Sequence, residues 1–255
     1  MTAERRGPHV DYRAAASRYA TGRALPDDKL ARWGRAVATA TPVAHPRVAD
    51  VGAGTGIFSR AWVGWGAAAV VAVEPVAAMR AEAVARDPAD VHHVAGTAEE
   101  LPLREAVVDV AWLSTVIHHV IDRPAAIAEL HRVVAPGGVV HLRGLCPDRS
   151  RVTTLAYAPP AAAERAVARF PTAAELTEQF GAAGFRPAGA AEVEEFDGVT
   201  GVEAAAWVER MRDADSMLGA FTPDEVEATK RAMAAEGDTQ LPPSRLTLLT
   251  FGRAG

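Results

Sequence analysis

From residue 47 onward the chain alternates short, nearly continuous apolar runs with longer stretches of helical periodicity. That is the rhythm of a buried parallel sheet whose strands are covered on both faces and joined by crossover helices. The runs 47–51, 69–74, 91–95, 107–114 and 139–144 are predicted as strands one to five. Helices are expected over 57–65, 76–86 and 123–134, the last stopped by Pro136-Gly137-Gly138, which cannot continue a helix. Ahead of the sheet, 27–40 reads as a helix and 11–19 as a further helical candidate.

After strand five the rhythm changes. Residues 145–170 are rich in Pro, Ala and Arg without a period-two pattern, and read as a partly helical lid or connection. A helix over 172–183 stopped by Gly184, a strand near 185–196 and a final apolar strand over 245–253 should close the sheet. Between those two strands lies an insertion, about 199–240, with helices expected over 202–218 and 223–235. The second opens with the capping-box pattern Thr222-Pro223-Asp224-Glu225. An insertion there is placed to cover a substrate pocket.

A chain of 255 residues has room for one large α/β domain, and 49% hydrophobic with 23% charged residues is the balance of a globular protein. We therefore expect one domain over 1–255: a helical segment 1–46, a cofactor-binding core 47–144, a connection 145–170 and a C-terminal part 171–255. The net charge of -5 and the absence of a long Lys/Arg run argue against a nucleic-acid partner. Cys146 is the one cysteine, so no intramolecular disulfide and no Cys-rich metal cluster is expected. With no signal-like apolar segment in 1–10 and no bilayer-length apolar run, the expectation is a cytoplasmic protein without membrane contact.

The chemistry concentrates at the end of strand one, in Asp50-Val51-Gly52-Ala53-Gly54-Thr55-Gly56. A strand entering a glycine turn and then a helix lets bare backbone approach a ligand. The dinucleotide fingerprint G-x-G-x-x-G has its last glycine one position later and seats a pyrophosphate on the helix N-terminus. Here the spacing differs, and Asp50 puts a carboxylate where phosphates would repel it. That favours a cationic, phosphate-free cofactor such as S-adenosylmethionine, with its ammonium and sulfonium. Glu74, at the end of strand two, stands about 20 residues after the glycines, where an acid meets ribose hydroxyls. Met79 on the next helix is either core or a thioether packed on adenine.

These residues, with three further segments, resemble the class I S-adenosylmethionine-dependent methyltransferases, the group that includes ubiquinone/menaquinone-type and small-molecule enzymes. The resemblance spans about residues 19–144. It rests on Val48 to Gly56, on Val73-Glu74-Pro75-Val76-Ala77-Ala78-Met79, on Gly96-Thr97-Ala98-Glu99-Glu100-Leu101-Pro102-Leu103, on Val108 to Val120, and on Glu129 to Gly138. It implies a Rossmann-like, seven-stranded, mostly parallel sheet with helices on both faces and an antiparallel last strand. It also implies that Gly52, Ala53, Gly54, Gly56, Glu74 and Pro75 hold the cofactor, that Thr97, Ala98 and Glu99 meet the adenine edge, and that Ser114 and Thr115 meet the methionine part. Many relatives carry Asp at the Thr97 position, which leaves Glu99 as the candidate for the exocyclic amine. Tyr19 to Arg23 is similar to a segment in which a guanidinium pairs with the cofactor carboxylate.

In methyl transfer a nucleophile attacks the sulfonium methyl in line and S-adenosylhomocysteine leaves. The enzyme mainly aligns the partners, an effect of roughly 7 to 11 kcal/mol in favourable cases. A hydroxyl acceptor also needs a base, and His119 and then His118 follow strand four at the active edge. Asp109, near the amino end of that strand, reads as structural, and His92 and His93 as edge residues. Trp112, Trp207 and Phe221 read as core before pocket wall, and no histidine spacing suggests a metal. The expected partner is a small-molecule O-, N- or C-nucleophile, in a monomer or homodimer compatible with bacterial secondary metabolism. The alternatives are a non-methylating cyclisation or rearrangement on the same cofactor, and a nicotinamide-dependent oxidoreductase, which the glycine spacing and Asp50 disfavour.

Overall fold

The computed structural model describes residues 25–212 and 215–255. Tyr19, Arg23 and the helix expected over 11–19 lie outside them. The chain enters with α1 (Asp27–Ala38), whose first turn carries Asp27 and Asp28, the sign that suits a helix N-terminus. Then follow β1 (Arg47–Val51), α2 (Ile57–Gly64), β2 (Ala69–Val73), α3 (Ala77–Val84) and β3 (Val91–Val94). The second half of the core is β4 (Val108–Ser114), α4 (Arg123–Val133) and β5 (Val134–Gly144). After it come α5 (Thr153–Tyr157), α6 (Pro160–Val167), α7 (Ala173–Ala182), β6 (Phe185–Glu195), α8 (Gly201–Met211), α9 (Pro223–Ala234) and β7 (Ser244–Arg253).

The seven strands form one sheet in the order β3-β2-β1-β4-β5-β7-β6. The pairs from β3 to β5 are parallel, and β7 runs antiparallel to both β5 and β6. Alternate residues serve opposite faces, as a two-residue period requires. Ala111 and Leu113 of β4 pack with Ile127, Leu130 and Phe180 from α4 and α7. Val110 and Trp112 pack with Trp33 of α1 and with Phe58 and Trp62 of α2 on the other side. Trp112 is fully buried, which assigns it to the core. A third cluster joins α6, α8 and α9 through Ala166, Val208, Leu218 and Met233, so the insertion and the 145–170 connection share an apolar core.

Two elements depart from the pattern-based expectation. β5 starts directly at Val134, and Pro136-Gly137-Gly138 is a bulge within it rather than a separating turn. The pairing jumps from Val108↔Val134 to Val110↔Val139, Gly137 has φ +80°, and a Cβ on Gly138 would sit 2.6 Å from the Asp109 carbonyl oxygen. The first insertion helix ends at Met211 rather than near 218. A separate 3-10 turn, Leu218–Ala220, follows it. The Asp215 Oδ1 accepts the amides of Met217 and Leu218 at 2.8 and 3.1 Å just ahead of that turn.

Asp109 is structural, as its place in the strand suggested: it accepts the Arg47 backbone amide at 2.8 Å and pairs with the Arg47 guanidinium. His93, on edge strand β3, lies 3.3 Å from the buried Asp87. His141 is buried in β5 between the hydroxyls of Thr41 and Thr250 at 3.0 and 2.9 Å. Burial pushes its pKa down to about 3, so it is neutral.

Candidate active site

From β1 the chain builds outward to β3 on one side and then returns to place β4 on the other, so the carboxyl ends of β1 and β4 face the switch-point crevice of an open α/β sheet. A cavity of about 590 Å³ opens there. Its sheet side includes Asp50, Gly52, Gly54, Ser114 and Thr115, and the insertion supplies Trp207, Met217 and Met233 opposite. The 145–170 connection adds Val152, Thr153 and Phe170 to the wall.

The glycine loop is held by the sheet itself: the amides of Gly52 and Ala53 donate to the Val73 carbonyl at 2.8 and 3.1 Å. Two glycines do different jobs. Gly52, at φ +70°, has no room for a Cβ, which would lie 2.5 Å from a Val116 methyl. Gly54, at φ +57°, would project a Cβ into open space, so its backbone is a bare surface on the cavity.

Asp50 is 1% exposed and accepts the Ser59 hydroxyl at 2.6 Å. Burial raises its pKa to about 7, opposed by the Ser59 bond and reinforced by the carboxylates of Asp87 and Glu74. A raised carboxyl pKa means that the folded protein holds a proton that the unfolded chain has released, so this group's stability contribution is lost as pH rises from about 4 to about 7. Asp50→Asn should therefore gain stability over the wild type across that window, by about 1.4 kcal/mol per pH unit at most. Urea unfolding at several pH values checks it. A difference that does not change with pH would mean that Asp50 is ionised throughout.

Glu74 closes the other side of the loop. Its Oε2 accepts the Gly54 amide at 2.9 Å and its Oε1 the Val76 amide at 2.8 Å. Burial raises its pKa while the two amides pull the other way. Each carboxylate oxygen keeps a further acceptor position. Met79 is 2% exposed, Ala98 is buried, and Pro75 and Thr97 are exposed. Glu99 is half-buried, and its Oε1 accepts the Ile121 amide at 3.1 Å, which ties this turn to the loop after β4. Neither Glu74 nor any of these five residues is part of the cavity lining; Glu74 reaches the site through its bond to the Gly54 amide.

At the end of β4 the chain turns through Thr115, held at φ +56° by its amide donating to the Arg143 carbonyl at 2.7 Å. The turn sends the two histidines apart. His118 lines the cavity, with Nε2 3.2 Å from the Ser216 hydroxyl and its ring 4.4 Å from that of Phe170, centroid to centroid. The His119 ring packs tilted against it, centroids 4.0 Å apart, and is exposed, outside the cavity wall. The structure thus puts His118, and not His119, in the cavity wall. Trp207 lines the cavity and packs tilted against Phe196, whereas Phe221 is buried in the third cluster.

Sequence reasoning missed a buried ion pair in the same wall. Arg143 ends β5 and Glu195 ends β6, 7% and 1% exposed. The Arg143 Nε donates to Glu195 at 3.0 Å, a terminal nitrogen makes a second contact to the same oxygen, and Trp33 Nε1 donates there at 2.6 Å. Arg143 also donates to the Ser114 hydroxyl at 3.0 Å, with its guanidinium 4.8 Å from the Trp33 ring centre. The available signal was a charge in an otherwise apolar strand, at the carboxyl end where sites form. Among the described residues no group of three or more His, Cys, Asp or Glu is arranged to hold a metal, and no helix is long and apolar enough to cross a membrane.

Comparison with known proteins agrees with this geometry. Residues 49–142, from within β1 to within β5, match the methyltransferase domain family. Malonyl-[acyl-carrier protein] O-methyltransferase of Serratia marcescens is 41% identical over 98 residues, 38% of each chain. The ubiquinone/menaquinone biosynthesis C-methyltransferase UbiE of Rubrivivax gelatinosus is 37% identical over 116 residues, 46% of this chain and 44% of that one. The matched stretches thus span less than half of either relative. The fold recurs over 91% of this chain and 85% of the other in the crystal structure of the [4+2]-cyclase SpnF, at a TM-score of 0.59 and 20% identity.

Proposed function

We propose that the chain transfers a methyl group from S-adenosylmethionine to a small-molecule acceptor whose nucleophile carries a proton, a hydroxyl above all, and that His118 takes that proton. The observation that carries this reading is a single cavity bounded by the Asp50–Gly54 loop, the Ser114–Thr115 turn and His118. Asp50 faces the cationic end of the cofactor, and the bare backbone of Gly54 lets it approach. Glu74 takes the ribose hydroxyls with its remaining acceptor positions, and residues 97–99 border the adenine. The methionine part lies along Ser114 and Thr115, so the methyl points into the chamber under the insertion. Cofactor, acceptor pocket and insertion act as one domain in this reading.

The relatives do not fix the acceptor, because one is named for O-methylation and the other for C-methylation. We place the acceptor in bacterial secondary metabolism as part of the same proposal. Incubation with methyl-labelled cofactor and a panel of hydroxylated, amino and enolisable acceptors tests it. The expected result is label in a product together with S-adenosylhomocysteine. The fold also serves the cyclase SpnF, so a rearranged product without S-adenosylhomocysteine would move the assignment to cofactor-bound rearrangement.

A further inference from the structure

We propose that the acceptor is an apolar molecule carrying an anionic group, and that Arg210 on α8 selects that group. The word acceptor rests on the methyl-transfer reading; the binding preference itself does not. Glu203, Ala206, Trp207 and Arg210 line the cavity. Their spacing of i, i+3, i+4 and i+7 makes one stripe of the helix. The opposite stripe, Ala204, Ala205, Val208 and Met211, is buried in the insertion core, which fixes the rotation of α8. Arg210 therefore stands on the cavity side, about 10 Å along the helix axis from Glu203.

Among the described residues six charged side chains line the cavity, and five of them are engaged. Asp50 is bonded to Ser59, Arg143 to Glu195, Glu203 to Thr200 in its capping box, and Asp215 to the amides of Met217 and Leu218. On the solvent side of the same helix, Glu209 is paired with Lys230 and with Arg212. Arg210 alone among these charged lining residues has no hydrogen bond or ion pair with the described residues. The same cavity wall carries the apolar side chains of Trp207, Phe170, Met217 and Met233.

An apolar body entering such a chamber gains from burial, whereas an anionic group on it loses hydration and needs a cation. A guanidinium meets a carboxylate or sulfonate through two parallel hydrogen bonds. Arg210 also sits in the last turn of α8, where any cation suits the helix dipole. That role acts on stability and cannot tell one ligand from another.

The test uses a matched pair of fluorescent probes on the full chain, with and without saturating S-adenosylhomocysteine: 1-anilinonaphthalene-8-sulfonate and its neutral counterpart N-phenyl-1-naphthylamine. Arg210→Gln should weaken the sulfonate probe by about tenfold or more and leave the neutral probe and S-adenosylhomocysteine within about twofold. Arg210→Lys should fall between, and Trp207→Ala should weaken both probes. Equal loss of both probes, loss of neither, or no binding of either by the wild type would overturn the proposal. A loss confined to S-adenosylhomocysteine would reassign Arg210 to the cofactor and overturn it too. If the wild type binds no S-adenosylhomocysteine but discriminates the probes as described, the anion-selecting wall stands and the methyl-transfer reading falls.

Discussion

His118→Gln should lower the turnover of any acceptor that the wild type methylates by about 10²- to 10⁴-fold, the usual contribution of a positioned base, with S-adenosylhomocysteine affinity within about twofold. The separation follows from placement. His118 lies in the cavity wall beside Ser216 and Phe170, apart from the Asp50–Gly56 loop to which the proposal assigns the cofactor, so its loss is expected to act on the acceptor side. His119→Gln is the internal control: its ring is exposed behind His118, and its removal should change the rate by less than about threefold, the scale of a surface substitution. Rate constants from single-turnover experiments at saturating cofactor separate the two variants. Equal effects of both would mean that the pair supports the loop rather than the proton transfer.

Glu74→Ala should weaken S-adenosylhomocysteine binding by about 100-fold or more. Hydrogen bonds to a charged group are worth about 1.5 to 3 kcal/mol each, and this carboxylate is used twice. It receives the amides of Gly54 and Val76, which shapes the glycine loop, and in the proposed complex it also accepts the ribose hydroxyls. Glu74→Gln keeps the shape but turns one acceptor into a donor facing an amide, so it should lie much closer to Glu74→Ala than to the wild type. Calorimetric titration of both variants, with circular dichroism to verify folding, reads this out. Wild-type affinity in a folded Glu74→Ala chain would remove the residue from the cofactor site.

The order and type of the core elements were legible because buried parallel strands are continuous apolar runs and their crossover helices end at glycine and proline. Asp50 to Gly56 and Glu74 were legible for the same local reason: β1 and β2 are neighbours, and their carboxyl ends converge wherever such strands pair. Pro136-Gly137-Gly138, legible only as the stop of a helix ahead of strand five, is a bulge inside that strand, since a bulge is defined by its partner strand, here β4, and not by its own sequence. The choice between His118 and His119 depends on the left-handed turn at Thr115, whose amide donates a hydrogen bond to the carbonyl of Arg143, a residue 28 positions away by number. The Arg143–Glu195 pair joins two strands that come together only through β7 between them. Such long-range pairings leave at most a single misplaced charge in the linear pattern.

The central claim is that the Asp50–Gly56 loop serves a cationic, phosphate-free cofactor. Titration calorimetry of the same preparation with S-adenosylhomocysteine, S-adenosylmethionine and NADH tests it most directly. The account predicts one site per chain for the first two, with affinity for S-adenosylmethionine lost in Asp50→Asn and Glu74→Ala, and no heat of binding with NADH. Binding of NADH in place of both adenosyl compounds would contradict it.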